Sequence, residues 1–72
     1  MKKVFKLENL DCANCARKME DAIRRIEGVE DVQISFLTQK ITLVADDARF
    51  AAIVDEAERA CRRVDRACTI LR

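Results

Sequence analysis

Hydrophobic and polar positions change period several times along the chain. Val4 to Leu7 reads as a short strand with Phe5 and Leu7 on one face. Glu8-Asn9-Leu10-Asp11 is a polar break. From about Asn14 to Glu27 the apolar residues Ala16, Met19, Ala22 or Ile23, and Ile26 recur at three- and four-residue steps, which predicts an amphipathic helix. Glu20 with Arg24, and Asp21 with Arg25, place acid-to-base pairs at i,i+4 on its outer face. Gly28, the only glycine, stands where a helix C-cap calls for a left-handed residue.

Two strands follow. Val32, Ile34 and Phe36 alternate with Gln33 and Ser35, and Ile41 and Leu43 alternate with Thr42. Leu37 to Lys40 is long enough only for a hairpin, so these strands should pair antiparallel. Asp46 or Asp47 supplies the N-cap of a second helix, whose stripe is Phe50, Ile53, Val54, Ala57, Cys61 and Val64. Ala67 to Leu71 makes a last strand. The order β-α-β-β-α-β predicts an α+β ferredoxin-like sandwich: a four-stranded antiparallel sheet with both helices on one face. The halves, about 1–37 and 38–72, repeat in architecture without a convincing sequence repeat.

Length makes residues 1–72 a single domain with a small core. Lys plus Arg number 14 and Asp plus Glu 13, giving a net charge of +1. That balance offers no global field for nucleic acid or an anionic membrane. Three Phe and no Trp or Tyr make base-stacking platforms a poor fit. No apolar run approaches the roughly 20 residues of a membrane span, so direct membrane insertion is not expected. The opening Met1-Lys2-Lys3-Val4 leads into a charged alternating segment, unlike a signal peptide. The expectation is a cytoplasmic monomer that does not bind nucleic acid.

Four cysteines change the picture: Cys12, Cys15, Cys61 and Cys68. In a reducing compartment they read as metal-binding, redox or buried thiols. The absence of His excludes Cys/His zinc fingers and His-based triads. Cys12 and Cys15 lie between the first strand and the first helix, the second of them in the first helical turn. C-x-x-C brings two sulfurs close enough to grip one ion. The unpaired N–H groups and positive end of the helix favour the thiolate, the form that binds metal.

Asp11 directly precedes the pair. Two thiolates alone suit a soft, monovalent ion such as Cu(I). Adding a hard anionic oxygen favours a divalent ion wanting three or four ligands, such as Zn(II), Cd(II) or Pb(II). A fourth position left open would let a partner's ligand attack, so that metal is handed over instead of trapped. Asp11 reads equally as a helix N-cap or a loop acid.

Leu10-Asp11-Cys12-Ala13-Asn14-Cys15-Ala16, followed by Ile26-Glu27-Gly28-Val29, resembles the heavy-metal-associated domain over essentially the whole chain. That family carries G-M-x-C-x-x-C, a helix, and a G-V entering strand two. The resemblance implies Cys12 and Cys15 as ligands. Asp before the first Cys is similar to the amino-terminal domains of Zn/Cd/Pb-exporting P-type ATPases, which adds Asp11. The family's Met, packed under the loop, falls on Leu10, and its Gly on Asn9, a residue that tolerates a left-handed backbone. The copper branch's Gly-Tyr after helix two is missing. The implied partners are the transmembrane and other cytoplasmic domains of a metal-transporting ATPase, itself in the cell membrane.

The remaining residues have blander readings. Cys61 falls on the apolar stripe and reads as a small buried hydrophobe. Cys68 alternates with Ile70 and reads as core or as a half-exposed edge position. A four-Cys zinc site would need the end of helix two to reach the first βα loop, and in this fold the two tend to lie apart. Glu8, Lys2, Lys3 and Lys6 read as solvated strand charges. Arg59, Arg62, Arg63 and Arg66 read as favourable charges at a helix C-terminus.

Three functions compete. The first is a non-enzymatic module that captures a divalent soft or borderline ion and delivers it to, or regulates, a heavy-metal-transporting P-type ATPase; a free-standing metallochaperone, for Cu(I) or Hg(II) as well, is its close variant. The second is a thiol–disulfide oxidoreductase. A chain without Pro cannot place a cis-Pro opposite the thiols, and the Cys pair lacks a Gly-Pro interior and an adjacent Trp. The third is a regulatory or structural domain indifferent to loss of Cys12 and Cys15.

Overall fold

The computed structural model describes residues 1–72. Its elements are β1 (Lys2–Glu8), α1 (Ala13–Arg24), β2 (Val29–Ser35), β3 (Lys40–Ala45), α2 (Phe50–Val64) and β4 (Thr69–Leu71). A short 3-10 turn, Asp47–Arg49, leads into α2 and is capped by the Asp46 carboxylate, which accepts from the Ala48 N–H. The strands form one antiparallel sheet in the order β2-β3-β1-β4. This is the expected ferredoxin-like arrangement.

The core contains 17 buried residues, all of them apolar. Leu7 of β1, Met19 and Ile23 of α1, Val32 of β2, Ile41 and Leu43 of β3, and Ile53 and Cys61 of α2 meet between the sheet and the helices. Along β3 the buried Ile41, Leu43 and Ala45 alternate with half-buried Thr42 and Val44, as a sheet covered on one face requires.

The end of α1 departs from the sequence pattern. The helix stops at Arg24, short of Glu27, and its C-cap is Arg25 in an ordinary right-handed conformation. The chain then tightens through i→i−3 bonds, Ile26 N–H to the Ile23 carbonyl and Val29 N–H to the Ile26 carbonyl. Gly28 has φ +96°, but it serves the entry into β2, not the helix cap. A Cβ at Gly28 would lie 2.8 Å from the Ile53 Cδ1, so both backbone and space call for glycine.

Glu20 and Arg24 form the expected i,i+4 pair at 3.3 Å; Asp21 and Arg25 do not pair. The same two side chains also fasten α1 to the edge strand. Glu20 accepts from the Ile34 N–H at 2.9 Å, and Arg24 donates to the Val32 carbonyl at 2.9 Å. Phe36 falls just outside β2, in the hairpin turn, and packs half-buried on the core.

Candidate metal centre

The loop from Asn9 to Cys12 joins β1 to α1, and three features fix its shape. Asn9 adopts φ 64°, the left-handed conformation its side chain tolerates. Leu10 turns inward and is 2% exposed, seating the loop on the core as the resemblance implied. Cys12 is the N-cap of α1, extended at φ −128° and ψ 121°, and its Sγ accepts from the Cys15 N–H at 3.3 Å. The N-cap reading of Asp11 is therefore corrected: the sulfur of Cys12 takes that place.

Both thiols of the pair are half-buried, while Leu10, Ala16 and Met19 close the core beneath them. The electrostatics separate the two. A hydrogen bond from the Cys15 thiol, and then the backbone N–H groups of Cys15 and Asn14, hold Cys12 below the ordinary thiol range; the Lys18 ammonium adds to this. Cys15 moves the other way. Its proton is held by Cys12, its sulfur is partly desolvated, and the charges of Cys12 and Asp65 oppose a second anion. The two thiols are thus pushed in opposite directions, Cys12 toward the thiolate and Cys15 toward the thiol.

Asp11 is exposed and has no ion-pair partner. Its carboxylate is adjacent in sequence but not closed onto the sulfurs, and no three acidic, Cys or His side chains are gathered as a ready-made cage. The structure brings Cys12 and Cys15 together and leaves Asp11 at the rim.

The α2–β4 turn is nearer than expected. Glu8 pairs with Thr69, so the end of β1 and the start of β4 lie side by side and their loops must meet. Asn9 Nδ2 donates to the Ala67 carbonyl at 3.2 Å, and Asp65 acts on Cys15. The expectation that these loops lie apart is corrected by that strand register. Cys61 and Cys68 are still core residues, both 0% exposed. Burial pushes Cys61 up to about 12, so it is a poor thiolate at neutral pH.

Sequence reasoning missed Gln39. It sits in the β2–β3 turn at φ 55°, and its side chain reaches across to Leu10 in the β1–α1 loop. Nothing in the local pattern marks it, because its partner lies 29 residues away.

The model of the heavy-metal-associated domain matches residues 4–60. The chain belongs to the heavy-metal-associated family. Over 56 residues it is 39% identical to the zinc/cadmium/lead-transporting P-type ATPase of Escherichia coli, a match covering 78% of this chain and 8% of that protein. It is 29% identical over 70 residues to the cadmium, zinc and cobalt-transporting ATPase of Bacillus subtilis, covering 97% of this chain and 10% of that one. The chain thus spans about a tenth or less of the curated relatives it matches. Among solved structures, the N-terminal domain of ZntA in its Zn(II) form superposes with TM-score 0.73 at 33% identity, covering 97% of this chain and 88% of that one. The CopZ metallochaperone shares the fold, with TM-score 0.78 at 20% identity over 99% of this chain and all of that one.

A heavy-metal-associated domain is a metal-binding module, not a catalyst, and in the P-type ATPases it resembles the match covers a tenth or less of the protein. The oxidoreductase reading therefore falls. No helix of the domain is long and apolar enough to cross a membrane.

Proposed function

We propose that this domain binds a divalent soft or borderline ion, Zn(II), Cd(II) or Pb(II), through Cys12, Cys15 and Asp11. It then passes the ion by ligand exchange to a metal-transporting ATPase of which it forms a part, on the cytoplasmic side of the cell membrane. The observation that carries this reading is the cysteine pair at the start of α1, Cys12 Sγ accepting from the Cys15 N–H, with an exposed carboxylate immediately before it. The 39% identity to a zinc/cadmium/lead-transporting ATPase supports the choice of ion.

The chemistry follows from the site. Cys12, held below the ordinary thiol range, is the readier of the two sulfurs to bind as thiolate. Cys15 then gives up its proton and becomes the second sulfur ligand. Asp11, free to rotate at the rim, adds a hard oxygen that a divalent ion prefers and Cu(I) does not need. Asp11 is exposed and both sulfurs are only half-buried, so a receiver's ligand can attack the ion from the solvent side. The site holds cargo without enclosing it.

Replacing Asp11 tests the ion assignment. Asp11→Asn should weaken Zn(II) and Cd(II) binding by at least the roughly tenfold that losing an outer-shell partner costs, while Cu(I) binding changes little. Equal losses for all three ions in competition titrations would remove Asp11 as a selective ligand.

A further inference from the structure

The near-neutral total charge hides a concentrated positive spot. Arg59, Arg62, Arg63 and Arg66 alone line one open hollow at the C-terminal end of α2. All are exposed. None of them pairs with a carboxylate; the arginines that do are Arg24 and Arg72. Of the acids on α2, Asp55 and Glu58 are engaged by Arg72, while Glu56 forms no ion pair.

The helix dipole explains only part of this. Arg62 and Arg63 lie in the last turn, but Arg59 precedes it and Arg66 lies beyond the helix end. None of the four caps a carbonyl; the Cys61 carbonyl is taken by the Asp65 N–H at 2.9 Å. Four unpaired guanidinium groups around one hollow are a waiting anion site.

The lining selects the anion. Protein interfaces anchor on buried aromatic and aliphatic groups, and this hollow has none. Its attraction is wholly electrostatic, and the guanidinium fork takes phosphate and carboxylate oxygens alike. The relatives of this chain transport ions as membrane ATPases, and the chain matches a tenth or less of their length. We infer that the Arg59–Arg66 patch docks the domain reversibly on the phosphate headgroups of anionic phospholipids. Asn9 and Ala67 tie the metal loop to the turn that carries Arg66, so docking there would hold the thiols near the bilayer surface. The inference does not depend on which ion the thiols carry.

Flotation of the 72-residue chain with vesicles tests it. Vesicles of phosphatidylcholine with added phosphatidylglycerol should retain the protein; pure phosphatidylcholine should not, and rising salt should release it. A triple variant, Arg62→Gln with Arg63→Gln and Arg66→Gln, should bind about 100-fold more weakly, roughly fivefold for each charge removed. A variant with the same charge loss on β1, Lys2→Gln with Lys3→Gln and Lys6→Gln, should keep most of the binding. No preference for the anionic vesicles, or equal losses in both triple variants, would overturn the inference. So would tighter retention by polyglutamate or duplex DNA than by vesicles. Zn(II) stoichiometry, read on each variant, should stay unchanged, which keeps failure of lipid docking separate from failure of the metal site.

Discussion

Gln39 holds both backbone groups of Leu10. Its Oε1 accepts from the Leu10 N–H at 3.1 Å, and its Nε2 donates to the Leu10 carbonyl at 2.7 Å and to the Phe36 carbonyl at 2.9 Å. The Gln39 carbonyl also accepts from the Leu7 N–H at 2.7 Å. The hairpin turn between β2 and β3 thereby braces the loop that carries the cysteines.

Removing that brace should be felt twice. Gln39→Ala leaves a part-buried N–H and carbonyl without partners, which should cost about 1–3 kcal/mol in denaturant unfolding. Leu10 is the second residue before Cys12, so the same variant should also bind Zn(II) more weakly, through a loop less well organised before the ion arrives. Unchanged stability and unchanged affinity would show that Gln39 is an incidental contact.

Metal uptake should release protons, because both sulfurs bind as thiolates. Cys12 lies below the ordinary thiol range and Cys15 above it, because the hydrogen bond between them favours the anion at Cys12 and the proton at Cys15. Binding through both sulfurs must therefore displace the Cys15 proton at neutral pH. Zn(II) affinity should fall as pH drops from about 8 to 6, and calorimetry in buffers of different ionisation enthalpy should detect the released proton. Affinity independent of pH across that window would contradict a Cys15 ligand.

The buried thiols should make the fold sensitive to alkali. An unfolded cysteine titrates near 9.0, whereas burial pushes Cys61 up to about 12. Between those values the unfolded chain has shed a proton that the folded chain keeps, so stability falls as pH rises through that window. The slope contributed by Cys61 approaches about 1.4 kcal/mol per pH unit. Cys61→Ala should flatten the alkaline limb of the stability curve, measured by denaturant unfolding from pH 9 upward. A limb as steep as in the parent chain would rule out Cys61 as its source.

The fold could be read from the sequence because its signals are local. Val32 and Ile34 declare a strand by alternation, and Phe50, Ile53, Val54 and Ala57 declare a helix by spacing. Cys12 and Cys15 could be read for the same reason: three positions separate them, and one helical turn brings them together. What escaped the reading depends on partners distant in sequence. Gln39 meets Leu10 only once the sheet has formed. The Asn9–Ala67 contact follows from pairing Glu8 with Thr69, a register that neither strand specifies alone. Asp11 and Cys12 compete for the same cap, and the sulfur takes it because the chain is already extended at Cys12. Gly28 carried the correct conformational signal with the wrong assignment, since the helix ended earlier and the left-handed residue served the next strand.

The central claim is that an ion enters at the bend between β1 and α1. Titration of the reduced, isotopically labelled chain with Zn(II) under anaerobic conditions, followed by backbone amide shifts, tests it most directly. Changes confined to residues 9–16 and to the adjoining 65–68 turn, saturating at one ion per chain and abolished by Cys12→Ser with Cys15→Ser, are the expected result. Saturation with no change in that loop, or full binding after both replacements, would contradict it.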